Sequence, residues 1–249
     1  MNLEQLYYIK TWVFDLDNTL YPPSIRLFDQ IEIKMQKFVA NFLNIRPAEA
    51  DVLRKKYWQS HGTTLAGMMK VHSMPPEDFL EKVHDIDFSV LSKSSTLAGL
   101  IAALPGRKIV YTNGTEPYAR QVLKARGLEN EFEAVYGIEH ANYRPKPLQE
   151  AFQKVFELAR ITPSQSAMFE DECRNLKVPS QLGMKTVFIS PEQKVPNYVD
   201  ITHPNLEIFL SKLVEVCFPE RLNALHLSLI HISEPTRPRL ISYAVFCLK

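Results

Sequence analysis

Apolar residues recur along this chain with two periods. Ile25, Phe28, Ile31, Met35, Phe38, Val39 and Phe42 follow one another at three- and four-residue steps, the spacing of one face of a helix. The pattern predicts a long amphipathic helix that begins after the break at Pro22 and Pro23, with Ser24 as its N-cap. A second helix is predicted from Pro47, at its N1 position, to a stop at His61 and Gly62. Shorter helical patterns cover Thr64 to Val71 and Glu77 to Val83. Residues 21–90 thus read as an all-helical block with no strand.

Outside that block the apolar positions come as short runs. Trp12, Val13 and Phe14 form one, and Lys108 to Tyr111, Ala134 to Tyr136, Ala167 to Phe169 and Thr186 to Ile189 form four more. Helical patterns separate them at Thr96 to Leu104, Pro117 to Ala125, Leu148 to Ala159, through Leu176 and Val178 to Gly183, and at Leu206 to Val216. Short apolar strands alternating with helices predict an α/β fold with a doubly wound parallel sheet covered on both faces. Thr186 to Ile189 is taken as its last strand.

In such a sheet the residues that follow the strands meet at one edge, where ligands bind. Asp15 and Asp17 follow the first run. Two carboxylates so close repel each other, and burial adds to the cost, so a cation is the expected partner. Thr112, Asn113 and Gly114 follow the second run at the mouth of a helix, which suits an anionic phosphate. Lys146 lies between two prolines, and Glu170 and Asp171 bring two more carboxylates out of a strand.

Composition narrows the picture only where it excludes partners. The 249 residues are 45% apolar and 23% charged, with a formal charge of +1, so no basic field draws nucleic acid and no nucleic-acid partner is expected. No stretch approaches the ~20 apolar residues of a membrane span, and the N-terminus lacks a basic start followed by an apolar run. A cytoplasmic protein without a membrane partner is expected. Cys173, Cys217 and Cys247 show no CxxC pair and read as reduced thiols.

The string DLDNTLY from Asp15 to Tyr21, with Thr112, Lys146 and the pair Glu170 and Asp171 in that order, resembles the four-motif signature of the haloacid dehalogenase superfamily. The opening string, HGTTLAGM and VHDID resemble its pyrimidine 5'-nucleotidase branch. The resemblance implies a catalytic core at 1–20 and 91–226, a helical cap at 21–90, and Mg²⁺ as cofactor. It implies that Asp15 is the nucleophile that takes up the phosphoryl group, and that Asp17 is the general acid and then the base. Thr112, with Asn113 beside it, and Lys146 would bind phosphate. Asp15, Glu170 and Asp171, with the backbone carbonyl of Asp17, would hold the metal. Tyr57, Thr63, Thr64 and His84 are the cap residues expected to meet the substrate. The implied reaction is hydrolysis of a nucleoside 5'-monophosphate such as UMP or CMP, a small-molecule phosphate ester. The alternatives are a sugar or vitamin phosphate as substrate, a phosphomutase, and a dehalogenase.

One segment stands apart. Leu227 to Lys249 has no clean period, and LSLIHISEPTR and ISYAVFCL resemble in-frame translation of sequencing-library adapter DNA, so residues 227–249 are expected to be non-native. The segment carries Arg237, Arg239 and Lys249 against Glu234, so without it the formal charge of +1 becomes −1.

Overall fold

The computed structural model describes residues 2–192 and 194–221. The adapter-like segment, Cys247 within it, and the last residues of the expected core lie outside the described residues. Six strands, β1 (Thr11–Phe14), β2 (Arg107–Tyr111), β3 (Ala134–Tyr136), β4 (Ser166–Glu170), β5 (Lys185–Ile189) and β6 (Ile201–His203), form one sheet in the order β3-β2-β1-β4-β5-β6. Every pairing is parallel. The fold class is therefore the α/β parallel sheet that the alternating pattern predicts.

The two faces of the sheet follow from the period of a strand. Trp12 and Phe14 point into one apolar cluster with Phe169 and Phe209, while Val13 between them joins Ile109, Met168 and Phe152 on the other side. Helices α5 (Ser95–Ala103), α6 (Glu116–Arg126) and α9 (Leu206–Cys217) bring Leu100, Ala119 and Leu213 to the first face. Helices α7 (Gln149–Leu158) and α8 (Lys177–Gln181) bring Val155 and Val178 to the second. Phe14 and Phe169 are paired in register on adjacent strands, and their rings stack at 4.5 Å. This packing fixes the ends of β1 and β4, where the carboxylates emerge.

Between β1 and α5 lie four helices, α1 (Leu27–Leu43), α2 (Pro47–His61), α3 (Thr64–His72) and α4 (Pro76–His84), and among the described residues there is no strand. The start of α1 differs from the sequence pattern. Pro23–Ile25 form a separate 3₁₀ turn, and Arg26, with φ +60°, reverses the chain before Leu27, so Ser24 is not the cap. Helices α2 and α3 pack closely because Gly67 has no side chain: a Cβ there would lie 2.2 Å from Cγ of Tyr57. Both connections to the helical block are held by the buried Arg126, which donates from Nε to the Leu20 carbonyl at 3.2 Å and from a terminal nitrogen to the Ser92 carbonyl.

The sixth strand is a correction to the pattern, which ends the sheet at Ile189. β6 has three residues and only Ile201 is buried, so it carries no apolar run to read. It forms because Ser190 and the β5 backbone offer an open edge. No helix among the described residues is long and apolar enough to cross a membrane. Cys173 and Cys217 are free thiols.

Candidate active site

The carboxyl ends of β1, β2 and β4 converge because neighbouring strands run parallel and in register. Lys146 stands at the centre, 1% exposed. Its ammonium donates to Asp15 Oδ1 at 2.6 Å, to Glu170 Oε1 at 2.6 Å and to the Tyr111 carbonyl at 3.0 Å. An ammonium has three protons, and all three are used here. Burial works against its charge, but Asp15 and Glu170 outweigh burial and hold Lys146 above the usual lysine range. The resemblance casts Lys146 as the cation that holds nucleophile and phosphate together, and here it touches the nucleophile position, Asp15.

The backbone of Lys146 is fixed by Asn113. The side-chain oxygen of Asn113 accepts from the Lys146 N–H at 2.8 Å, and its amide nitrogen donates to the Lys146 carbonyl at 3.2 Å. Asn113 still lines the cavity, and its amide nitrogen has a second proton beyond the one given to Lys146. Thr112 stays at the site: it lines the cavity beside Asp15, and its hydroxyl accepts from the Gly114 N–H at 2.9 Å.

Asp17 has surroundings quite unlike those of Asp15. Its Oδ1 accepts from the Tyr118 hydroxyl at 2.5 Å and from the Tyr21 hydroxyl at 2.6 Å. Burial raises its carboxyl above the ordinary range, against the pull of both tyrosines. The side chain of Asp17 stands outside the group of Asp15, Glu170 and Asp171, whose oxygens lie within 4.8 Å of one another. The donor chemistry of that trio suits a metal. Three carboxylates face one ammonium, and hard oxygen donors with surplus negative charge fit a hard divalent cation. Glu170 is also held within the protein, since Oε1 accepts from Asn175 at 2.8 Å and Oε2 from the Glu172 N–H at 3.0 Å, and Oε2 keeps one further acceptor site. Asp171 has Asn18 as its hydrogen-bond partner and lines the cavity.

The electrostatics point the same way. Asp15 is pushed up to about 8 by burial and by the charges of Glu170 and Asp17, against Lys146. Asp171 is pushed up to about 9 by burial, Glu170 and Asp15. Both start from an ordinary 3.8, so as pH rises the unfolded chain loses these protons first, and the metal-free protein loses stability through the window from about 4 to 9. A cation that replaces the protons should stabilise more as pH rises. The gain in melting temperature on adding Mg²⁺ should therefore be larger at about pH 8.5 than at about pH 6. Equal gains would mean that these carboxylates are not the ligands.

A cavity of about 460 Å³ runs from these groups into the helical block. Its far wall is apolar, from Phe28, Ile31, Met35, Phe79, Leu80 and Val83, with the buried Arg54 paired to Glu32 at 3.0 Å beside it. Thr63, Thr64 and His84 line it, and all three are tied down. Thr63 caps α3 through the Ala66 N–H, Thr64 is buried with its hydroxyl 3.4 Å from the Arg54 carbonyl, and His84 stacks on Tyr118 at 4.3 Å. Burial pushes the His84 imidazole down to about 4, so it is neutral near pH 7. Tyr57 is a correction: it is not among the cavity residues, and its hydroxyl pairs with His72 Nε2 at 2.7 Å while its ring packs on Gly67. Arg174 ties the loop after β4 to the end of α2. It donates to the carbonyls of Trp58 and Gly62 at 3.1 and 3.0 Å and lies 3.9 Å above the Trp58 ring.

A family model for haloacid dehalogenase-like hydrolases matches residues 9–183. The chain belongs to that family. Within the haloacid dehalogenase-like hydrolases it is similar to "Phosphate metabolism protein 8" of Saccharomyces cerevisiae, at 26% identity over 238 residues, covering 83% of this chain and 71% of the yeast protein. Its fold matches a haloacid dehalogenase phosphatase from Thermococcus onnurineus, with TM-score 0.57, 20% identity and coverage of 86% and 100%. It also matches the Bacillus subtilis hydrolase YfnB solved with magnesium bound, with TM-score 0.53, 17% identity and coverage of 84% and 99%. L-2-haloacid dehalogenase from Xanthobacter autotrophicus with chloropropionic acid covalently bound has TM-score 0.52, 16% identity and coverage of 84% and 99%.

Proposed function

We propose that this hydrolase is a Mg²⁺-dependent phosphatase of nucleoside 5'-monophosphates, pyrimidine nucleotides first among them, acting through an aspartyl-phosphate on Asp15. The observation that carries the reading is the pair of dissimilar carboxylates. Asp15 lies against an ammonium, as a nucleophile meeting an anionic ester needs. Asp17, held by two hydroxyls, is a proton carrier. A halide leaves as an anion and needs no proton, whereas an alkoxide leaving group does. Asp17 therefore favours phosphate-ester over carbon–halogen cleavage.

Asp15 attacks phosphorus and the bond to the leaving oxygen breaks as Asp17 delivers its proton there. Asp17, now a carboxylate, takes a proton from water, whose oxygen attacks phosphorus and frees Asp15. Lys146 keeps Asp15 in line, and Thr112 offers a hydroxyl to a phosphate oxygen. Asp15, Glu170, Asp171 and the Asp17 carbonyl would hold Mg²⁺, with Glu170 also orienting Lys146; the bound ion would supply charge neutralisation between nucleophile and phosphate. Residues 21–90 act as a cap over the core formed by residues 1–20 and 91–226. Arg126 secures both connections and Arg174 secures the closed contact.

The apolar wall supports a leaving group with a flat, weakly polar body, as a nucleoside has. A phosphate-release screen over UMP, CMP, purine monophosphates and sugar phosphates with Mg²⁺ tests this, and a clear preference for sugar phosphates would overturn it. In the same screen Phe28→Ala should lower kcat/KM for the preferred nucleotide, relative to a small alkyl phosphate, about tenfold, the equivalent of ~1.4 kcal/mol of lost contact.

A further inference from the structure

The geometry points to Tyr21 and Tyr118 as a positioning pair that confines the Asp17 proton to Oδ2, the oxygen that then serves the leaving group. The inference rests on Asp17 acting as acid and base. A carboxyl oxygen has two lone-pair sites, and on Oδ1 both are filled, at 2.5 Å by Tyr118 and at 2.6 Å by Tyr21. In the protonated side chain, Oδ2 is then the atom left to carry the proton. Two short hydrogen bonds on one oxygen also restrain rotation of the carboxyl group of Asp17, which lines the cavity.

The donors are themselves rigid. Tyr21 and Tyr118 are each 1% exposed, and they reach Asp17 from opposite parts of the chain. Tyr21 comes from the turn that leads into the helical block. Tyr118 comes from the first turns of α6, 101 residues away. Tyr118 is held by the nearly parallel His84 ring of α4, 10° from coplanar, and its place depends on Gly114, where a Cβ would lie 2.7 Å from Tyr118 Cδ1. The glycine of the Thr-Asn-Gly string thus serves the proton carrier as well as the turn. Because His84 stands on the helical block and Tyr118 on the core, the proton is aligned only when the two are packed together.

The test compares two leaving groups in Tyr21→Phe, Tyr118→Phe and the double variant. Each change removes one hydroxyl and keeps the ring. A nucleoside monophosphate expels a basic alkoxide that needs the proton. p-Nitrophenyl phosphate expels an acidic phenol that departs without it. For kcat/KM, which reports steps through phosphoenzyme formation, each single variant should lose about tenfold on the nucleotide and the double variant about a hundredfold, part of the range that general acids contribute. The loss on the aryl ester should stay within about threefold. A general loosening of the site would lower both esters together, and equal losses, or none, would overturn the pair's role. Failure of the wild-type protein to hydrolyse either ester would instead overturn the phosphatase reading and this inference with it. Melting temperatures of the three variants identify any that lose activity by unfolding. A single variant that folds suffices for the comparison.

Discussion

Asp15→Asn should abolish turnover, by more than about a thousandfold, and with it the capture of phosphate on the protein. The fold should survive. Asparagine keeps the shape of aspartate and can still accept from Lys146 Nζ, which has Glu170 and the Tyr111 carbonyl as further partners. The change also removes one charge from a crowded set, because burial and the charges of Glu170 and Asp17 already push Asp15 up to about 8. Without metal, then, the variant should melt at or above the wild-type temperature. With Mg²⁺ it should lose much of the wild-type gain, since one of the three clustered oxygens is no longer anionic. Rapid-quench labelling from a radiolabelled ester and calorimetry check the two halves separately. Residual turnover within about tenfold of wild type would remove Asp15 as nucleophile. A large drop in metal-free stability would mean that its charge is structural.

The order of elements could be read from the sequence because each apolar run has one period, and the convergence of Asp15, Thr112 and Glu170 followed from parallel strands sharing one edge. What holds those groups could not be read that way. Tyr118 meets Asp17 across 101 positions, and no local pattern marks a tyrosine in a helix as the partner of a carboxylate. Tyr21 left a weak trace, since it stands four residues after Asp17, within reach across one turn. Asn113 adjoins Thr112 in sequence, but its hold on the Lys146 backbone, 33 residues away, is visible only in the fold. Nothing local to Tyr57 separates a substrate contact from packing; the absent side chain at Gly67 makes room for its ring in the packing of α2 on α3. The apolar wall of the cavity was read as helix core, since a face that packs and a face that lines a cavity have the same period.

Lys146→Met should cost more stability than any other single change at the site, about 3–5 kcal/mol, and should remove activity as well. The argument turns on which charge is left behind. Wild-type Lys146 is fully buried and compensates two carboxylates at 2.6 Å each. Methionine fills the space of the side chain but leaves Asp15 facing Glu170, which is 0% exposed, with no cation between them. Glu170→Gln alone is milder, because Lys146 keeps Asp15 and the Tyr111 carbonyl. Combining the two should restore part of the stability lost in Lys146→Met, since the glutamine removes the stranded charge, but none of the activity. Denaturant unfolding of the four proteins gives the coupling directly. The pH dependence gives an independent check. Once the lysine is gone, Asp15 can relieve the repulsion by taking a proton, and its carboxyl already lies far above 3.8 with the lysine present. A carboxyl raised further on folding costs most above its folded pKa and least below its unfolded one. Below about pH 8 both proteins hold a proton on Asp15, so the gap in stability between Lys146→Met and wild type should change little from about pH 5 to about pH 7 and widen from about pH 7 to about pH 9. A gap below ~1 kcal/mol at pH 8, or one that widens in acid, would mean that Lys146 does not compensate these carboxylates.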